Sequence, residues 1–224
     1  MLVLSHRGYH MSVPENTLAA FEQAVAMGVD GIETDVRLSA DGLPILFHDR
    51  LGPDGREVSS MSREELSKSV GYPVPTLDLA LERWKDVLWN IEIKTPLVVD
   101  AALSVLGGYY RSRRCLVTSF RHDVVERVSR SLDVQCGILV AHCPSSASHV
   151  LNLLPHEGIR TIVWSFEFVD STLLQQAATH GLTSFVYGLE TESEHRRCLQ
   201  LAVEGVITDH PQFLIRHPRG TPGS

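Results

Sequence analysis

Glu33 and Asp35 stand two residues apart in the run Gly31-Ile32-Glu33-Thr34-Asp35-Val36, and Glu92 and Lys94 repeat that spacing in Ile91-Glu92-Ile93-Lys94. Alternate side chains of a strand share a face, so each pair projects the same way. These groups sit among Ile, Val and Leu, where an ionised side chain costs several kcal/mol unless it is paired or bound to a cation. Folding alone gives no reason to put them there. An exposed edge strand would excuse Glu33 and Asp35, but the flanking apolar residues argue for a strand covered on both faces. A buried ion pair within one strand would be the plain account of Glu92 and Lys94. All-oxygen ligation by Glu33, Asp35 and Glu92 suits one hard divalent cation, Mg²⁺ or Ca²⁺, with water and substrate completing the shell. No HxH, HExxH or cysteine cluster suggests zinc.

Two histidines complete the set. His6-Arg7 ends the first apolar run, and His48-Asp49 follows the run that begins at Pro44. Either histidine alone is as readily a core or surface residue. Together with the carboxylates they supply what phosphodiester cleavage needs. A metal with Arg7 and Lys94 would neutralise phosphoryl oxygens as charge builds. Histidine ordinarily titrates near neutrality, so His6 and His48 can serve as general acid and base, in either order.

Elements to position these groups are legible in the alternation of short β-branched runs with amphipathic segments. Strands are expected at 2–6, 31–38, 88–94, 115–120, 134–140, 161–166, 184–189 and 205–208. Helices are expected at 17–27, 76–84, 98–110, 123–131, 171–180 and 192–203. The fold class is therefore α/β, a (β/α)8 TIM barrel, in which active sites lie at the carboxyl ends of the strands. The 224 residues fall short of the roughly 250 typical of that fold, so the loops must be lean. A short insertion follows the second strand: an extra strand at 44–48, then an excursion to Pro75 carrying a helical stretch at 63–67. Residues 1–215 read as one barrel domain and 216–224, rich in Pro and Gly, as a disordered tail.

The formal charge of −7 and the absence of a long Lys/Arg run argue against a nucleic-acid partner. No stretch approaches the roughly 20 apolar residues of a membrane span. The N-terminus lacks a basic n-region and runs at once into His6-Arg7-Gly8, so a cytoplasmic location is expected. Four cysteines are scattered with no CxxC pair; Cys115 and Cys136 fall within or beside apolar runs and read as buried free thiols. Nothing in the composition signals an oligomeric state.

The chain also resembles the glycerophosphodiester phosphodiesterase family, which shares its barrel with the bacterial phosphatidylinositol phospholipases C. The resemblance rests on His6-Arg7-Gly8, Glu15-Asn16-Thr17 with Ala20-Phe21, Glu33-x-Asp35, Asp41-Gly42 then His48-Asp49, Pro75-Thr76-Leu77, Ile91-Glu92-Ile93-Lys94, Ser119-Phe120 and Gly205-Val206-Ile207-Thr208-Asp209. Each motif is weak alone; their order and spacing across nearly the whole chain are specific. The resemblance implies metal ligands Glu33, Asp35 and Glu92, an acid–base pair His6 and His48, and a phosphoryl clamp of Arg7 and Lys94. It also implies hydrolysis of small-molecule glycerophosphodiesters to glycerol 3-phosphate and an alcohol, with Mg²⁺ or Ca²⁺. The glycerol part of that expectation comes only from the family.

Two segments depart from the family pattern. Arg50-Leu51-Gly52-Pro53-Asp54-Gly55 replaces an Arg-Thr-Thr-like stretch, and Val186-Tyr187-Gly188-Leu189-Glu190 stands where Trp and then Asn are usual. Tyr187 keeps an aromatic wall for the substrate, whereas Glu190 and Glu167 are candidate acidic groups at the mouth. Phospholipase D-like cleavage of lysophospholipids is the alternative chemistry; it calls for an apolar groove, and no strongly hydrophobic, basic amphipathic loop is evident. A non-catalytic barrel binding a phosphate metabolite would tolerate loss of a histidine or carboxylate, yet all five are present.

Overall fold

The computed structural model of the chain describes residues 1–144 and 158–215. Its strands are β1 (Leu2–His6), β2 (Gly31–Leu38), β3 (Pro44–Leu46), β4 (Leu88–Ile93), β5 (Arg114–Ser119), β6 (Gln135–Val140), β7 (Ile159–Ser165), β8 (Thr183–Leu189) and β9 (Gly205–Thr208). All but β3 are parallel, and pairing runs from β2 through β4 to β9 and back to β1. Leu4 partners Ile207 on one side and Gly31 on the other, which closes an eight-stranded (β/α)8 barrel. Strand β3 lies antiparallel against the end of β2, Val36 opposite Leu46, and opens the insertion. The eight expected barrel strands agree with the observed ones to within two residues. The extra strand is shorter than expected: it stops at Leu46, so His48 sits in the loop beyond it.

Helices α1 (Leu18–Met27), α2 (Arg63–Val70), α3 (Leu77–Arg83), α4 (Val99–Tyr109), α5 (His122–Ser131), α6 (Ser171–Thr179) and α7 (Glu192–Leu201) cover the barrel and fill the insertion. Their ends follow local chemistry. The Thr17 hydroxyl caps α1 by accepting from the Ala20 N–H, and Gly28 ends it in the left-handed region at φ 91°. Helix α2 opens with a reciprocal capping box between Ser62 and Glu65. The tail read as disordered, 216–224, and part of the β6–β7 connection lie outside the described residues.

Two apolar layers hold the frame. Between strands and helices lies the larger one, centred on Trp89, Trp164, Phe21 and the outward-facing Ile and Val of each strand. Inside the barrel, Leu4, Leu88, Leu116, Leu139, Val163, Phe185 and Ile207 form a plug. Side chains alternate, so the next inward residues toward the carboxyl ends are polar: His6 after Leu4, Asn90 and Glu92 after Leu88, Thr118 after Leu116, Tyr187 after Phe185. The plug is the floor on which the polar layer stands. Strand β2 contributes Gly31 to the plug level because nothing larger fits. A Cβ there would lie 2.5 Å from the Leu88 carbonyl oxygen and 2.9 Å from Leu4 Cγ. The insertion carries a small core of its own, Ile45, Phe47, Val58, Met61, Leu66 and Val74, which props up the loop bearing His48.

Gly31→Ala is expected to force strand β2 away from β4 and to cost about 1–3 kcal/mol, the usual penalty for overpacking. Thermal unfolding should register this as a midpoint lower by roughly 2–12 °C for a chain of this size; an unchanged midpoint would contradict the packing described.

Candidate active site

Glu33, Asp35 and Glu92 are buried side by side at the carboxyl end of the barrel, with one oxygen of each within 4.8 Å of the others. Register explains the meeting: Asp35 lies opposite Glu92, and Glu33 opposite Asn90, across the β2–β4 pair. Two cations hold the cluster. Lys94 Nζ is 2.7 Å from Glu92 Oε1 and 3.2 Å from Asp35 Oδ1, while Arg7 Nε is 3.1 Å from Asp35 Oδ2. Asn16 Nδ2 donates to Asp35 Oδ2 at 2.9 Å, and Asn16 Oδ1 accepts from the Thr34 hydroxyl and the Asp35 N–H.

The cations do not balance the anions, and proton affinities record the deficit. Burial, then repulsion from Asp35 and Glu92, pushes the Glu33 carboxyl well above the ordinary range, against the opposing pull of Arg7. Glu92 is also raised, by burial and by Asp35, with Lys94 opposing. Burial works against Asp35 as well, but Lys94, Arg7 and the Asn16 amide outweigh it and hold that group low. Asp35 Oδ1 makes no hydrogen bond despite its ion pair with Lys94. Buried carboxylate oxygens converging on one point, one of them unbonded and one group with its proton affinity raised for want of positive charge, fit a hard divalent cation.

The loop after β1 is bent to serve this cluster. Arg7 and Asn16 both adopt φ 54°, the left-handed region that Arg in particular avoids at a cost of about 1–2 kcal/mol. The bend turns the Arg7 N–H toward Glu33 Oε2 at 3.1 Å and lets its carbonyl accept from the Asn16 N–H. Glu15 anchors the far side of the Arg7 guanidinium, with both carboxylate oxygens within 3.0 Å of Nη1. Gly8 is obligatory, because a Cβ there would meet the Ala20 backbone at 2.7 Å.

Each expected histidine is oriented by a carboxylate. His6 Nδ1 is 2.8 Å from Asp209 Oδ1, and His10 Nε2 is 2.9 Å from the same oxygen. An ionised carboxylate only accepts, so those ring nitrogens carry protons and His6 Nε2 is left facing Glu33, 3.8 Å away. Burial opposes ionisation of Asp209, but hydrogen bonds from His10 and His6 hold it far below the usual carboxylate range. The bond to Asp209 raises His10. His48 Nδ1 donates to Asp49 Oδ1 at 2.9 Å, and its carbonyl accepts from Arg37 Nε at 2.7 Å, which pins the loop to β2. Both histidines line one cavity of about 170 Å³ with Arg7, Glu33, Glu92, Lys94 and Tyr187. Asp35 lies behind that lining, tied to it through Arg7 and Lys94. Tyr187 packs edge-on against Phe120 with ring centroids 5.9 Å apart, and the pair forms an aromatic wall.

The structure thus brings together the eight expected metal-ligand, acid–base, phosphoryl-clamp and aromatic-wall residues, and adds Asp209, His10, Asn16, Glu15 and Arg37 around them. Glu167 and Glu190 are exposed. The charge of Glu167 still contributes, after burial and Glu92, to a raised Tyr187; the Glu190 N–H is taken up by Glu194 at the start of α7. Cys115 and Cys136 are buried, and burial raises their thiols to about 11 and about 12, as expected of inert core residues.

Two carboxylate-oriented histidines beside an acidic cluster, at the carboxyl end of a closed parallel barrel, occupy the place where enzymes of the (β/α)8-barrel class carry their active sites. Residues 6–213 match the glycerophosphoryl diester phosphodiesterase family, and the chain belongs to that family of phosphodiester hydrolases. It is 29% identical to a glycerophosphodiester phosphodiesterase of Caldanaerobacter subterraneus over 96% of both chains. Among solved structures, glycerophosphodiester phosphodiesterase from Thermotoga maritima superposes with TM-score 0.84 at 25% identity, covering 96% of this chain and 97% of that one. A phosphodiesterase from Oleispira antarctica, in complex with its product sn-glycerol 3-phosphate, does so with TM-score 0.82 at 25% identity, over 95% and 94% of the two chains.

Glu33 has a raised affinity for its proton in the fold, so its unfolded form ionises first as pH rises past about 4.3. The metal-free protein therefore loses stability from that pH upward until the folded group also ionises. Glu33→Gln should remove the loss and melt higher than wild type at neutral pH, with the gap closing as pH falls toward 4. Melting curves in EDTA across that range check this; a variant less stable than wild type at pH 7 would contradict the assigned strain.

Proposed function

We propose that the chain hydrolyses glycerophosphodiesters to glycerol 3-phosphate and an alcohol, using one divalent cation, Mg²⁺ or Ca²⁺, held by Glu33, Asp35 and Glu92. The observation that carries this reading is a single cavity lined by His6 and His48, each oriented by its own carboxylate, with the acidic cluster between the strands below. The glycerol 3-phosphate bound to the Oleispira antarctica relative supports the substrate class. A bound cation supplies Lewis-acid charge to the phosphoryl oxygens.

The protein's own groups do the rest. Arg7 and Lys94, both lining the cavity, offer positive charge to the phosphoryl group while remaining paired with Asp35. Tyr187 and Phe120 shield one side from solvent. One histidine accepts the proton of the nucleophile, either water or a neighbouring substrate hydroxyl whose cyclic phosphate water then opens, as the new P–O bond forms; the other gives a proton to the alcohol oxygen as the old bond breaks. Asp209 keeps His6 in the tautomer whose Nε2 faces the cavity, and Asp49 does the same for His48.

Cleavage of lysophospholipids at the head group is a second reading with one feature in its favour. An apolar groove of about 280 Å³ runs between Val13-Pro14-Leu18 and Tyr72-Pro73-Val74-Pro75 of the insertion, beside the Glu15 that anchors Arg7. Among the described residues no helix is long and apolar enough to cross a membrane.

The test is release of glycerol 3-phosphate from glycerophosphocholine and glycerophosphoethanolamine, and of lysophosphatidate from lysophosphatidylcholine, in EDTA, Mg²⁺ or Ca²⁺. Wild type should turn over the water-soluble diesters only with a cation. Glu33→Ala should abolish release, and His6→Ala and His48→Ala should each lower kcat by roughly 10²–10⁴-fold. Release that persists in EDTA, or a pH–rate profile still bell-shaped in His48→Ala, would contradict the mechanism; faster turnover of the lysolipid would favour the second reading.

A further inference from the structure

Asn90 occupies the one inward position of β4 between the apolar plug and the acidic cluster. Below it is Leu88, above it Glu92; its neighbours across the sheet are Leu116 on β5 and Glu33 on β2. The side chain is 1% exposed and lines the active-site cavity. Its Oδ1 accepts from the Thr118 hydroxyl at 2.8 Å, which fixes the plane of the amide. Its Nδ2 is buried and has no hydrogen-bond partner among the described residues. Turning the amide over would let Nδ2 donate to Thr118, yet one polar atom would still be left unbonded over the cavity.

A buried, unpaired amide is a standing cost to the fold, and the position offers no structural return for it. A leucine would continue the plug and remove the penalty. The Thr118 hydroxyl gains nothing it could not find elsewhere on the cavity wall. What the pair does achieve is to hold a neutral amide donor, fixed by Thr118, in the lining of a cavity whose other polar groups are mostly charged or ionisable.

We propose that Asn90 is a substrate-binding residue, its amide donating to an oxygen of the bound glycerophosphodiester, with Thr118 as its positioning residue. The inference rests on the substrate class proposed above and deepens it by naming the group that reads the buried end of the ligand. The oxygen belongs either to the phosphoryl group or to a glycerol hydroxyl, both acceptors of the same bond.

The experiment compares wild type, Asn90→Leu and Thr118→Val, each with Mg²⁺ or Ca²⁺, by thermal melting with and without glycerol 3-phosphate or inorganic phosphate, and by kinetics on glycerophosphocholine. Asn90→Leu should melt at or above wild type in the absence of ligand. Its affinity for glycerol 3-phosphate should fall and its KM rise by roughly ten-fold, the loss of one well-placed hydrogen bond. Thr118→Val should show a smaller loss in the same direction, and it carries the test alone if Asn90→Leu does not fold. Weakened response to both ligands assigns the phosphoryl oxygen; weakened response to glycerol 3-phosphate only assigns a hydroxyl. Binding and KM unchanged in both variants would overturn the inference while leaving the phosphodiesterase reading intact. A folded wild type that does not respond to glycerol 3-phosphate would overturn the two together.

Discussion

Mutual repulsion among Glu33, Asp35 and Glu92 is the constraint from which the rest of the site follows. At separations of no more than 4.8 Å each ionised pair repels by at least about 3.5 kcal/mol at an effective dielectric constant of roughly 20. Lys94 and Arg7 relieve part of this: Lys94 is shared between Glu92 and Asp35, and Arg7 between Asp35 and Glu15. The remainder falls on Glu33, whose affinity for a proton it raises. A compact divalent charge at the meeting point would reverse that shift and turn the repulsion into attraction. The strained turn at Arg7, the Asn16 amide under Asp35 and the Glu15 brace on the guanidinium all serve to keep the three oxygens converged rather than letting them splay apart.

The apolar plug beneath gives the cluster its leverage. Leu4, Leu88, Leu116, Phe185 and their neighbours exclude water from below, so the charges above act across a poorly polarisable medium from one side. Strand ends hold the carboxylates rigidly. His6 closes strand β1 and His48 sits in a loop, and both are tied down in turn: His6, with His10, through Asp209, and His48 through Arg37 and Asp49.

The sequence revealed most of the frame and the charged centre of the site, for reasons that can be named. Eight barrel strands were legible because β-branched runs recur between amphipathic stretches. Glu33, Asp35 and Glu92 were legible because carboxylates in an apolar run demand an explanation. Asp209 was harder: it follows the last strand and precedes His210-Pro211, where an aspartate reads as ordinary turn chemistry, although period two from Ile207 would have turned it inward. His10 lies in an irregular loop and gives no periodic signal. Asn16 was visible only as part of the Glu15-Asn16-Thr17 motif, while its structural task, holding Asp35 and Thr34, depends on a left-handed backbone that sequence does not reveal. His48 was assigned to a strand end, but that strand stops two residues earlier and the Arg37 bond to the His48 carbonyl takes over.

Calorimetric titration of Ca²⁺ or Mg²⁺ into the metal-free protein, repeated in two buffers of different ionisation enthalpy, bears most directly on this account. It predicts one ion bound per chain, with proton release growing as pH falls toward the range where the raised Glu33 carboxyl is protonated in the metal-free fold. Failure to bind either ion at millimolar concentration, or proton release that does not grow as pH falls, would contradict it.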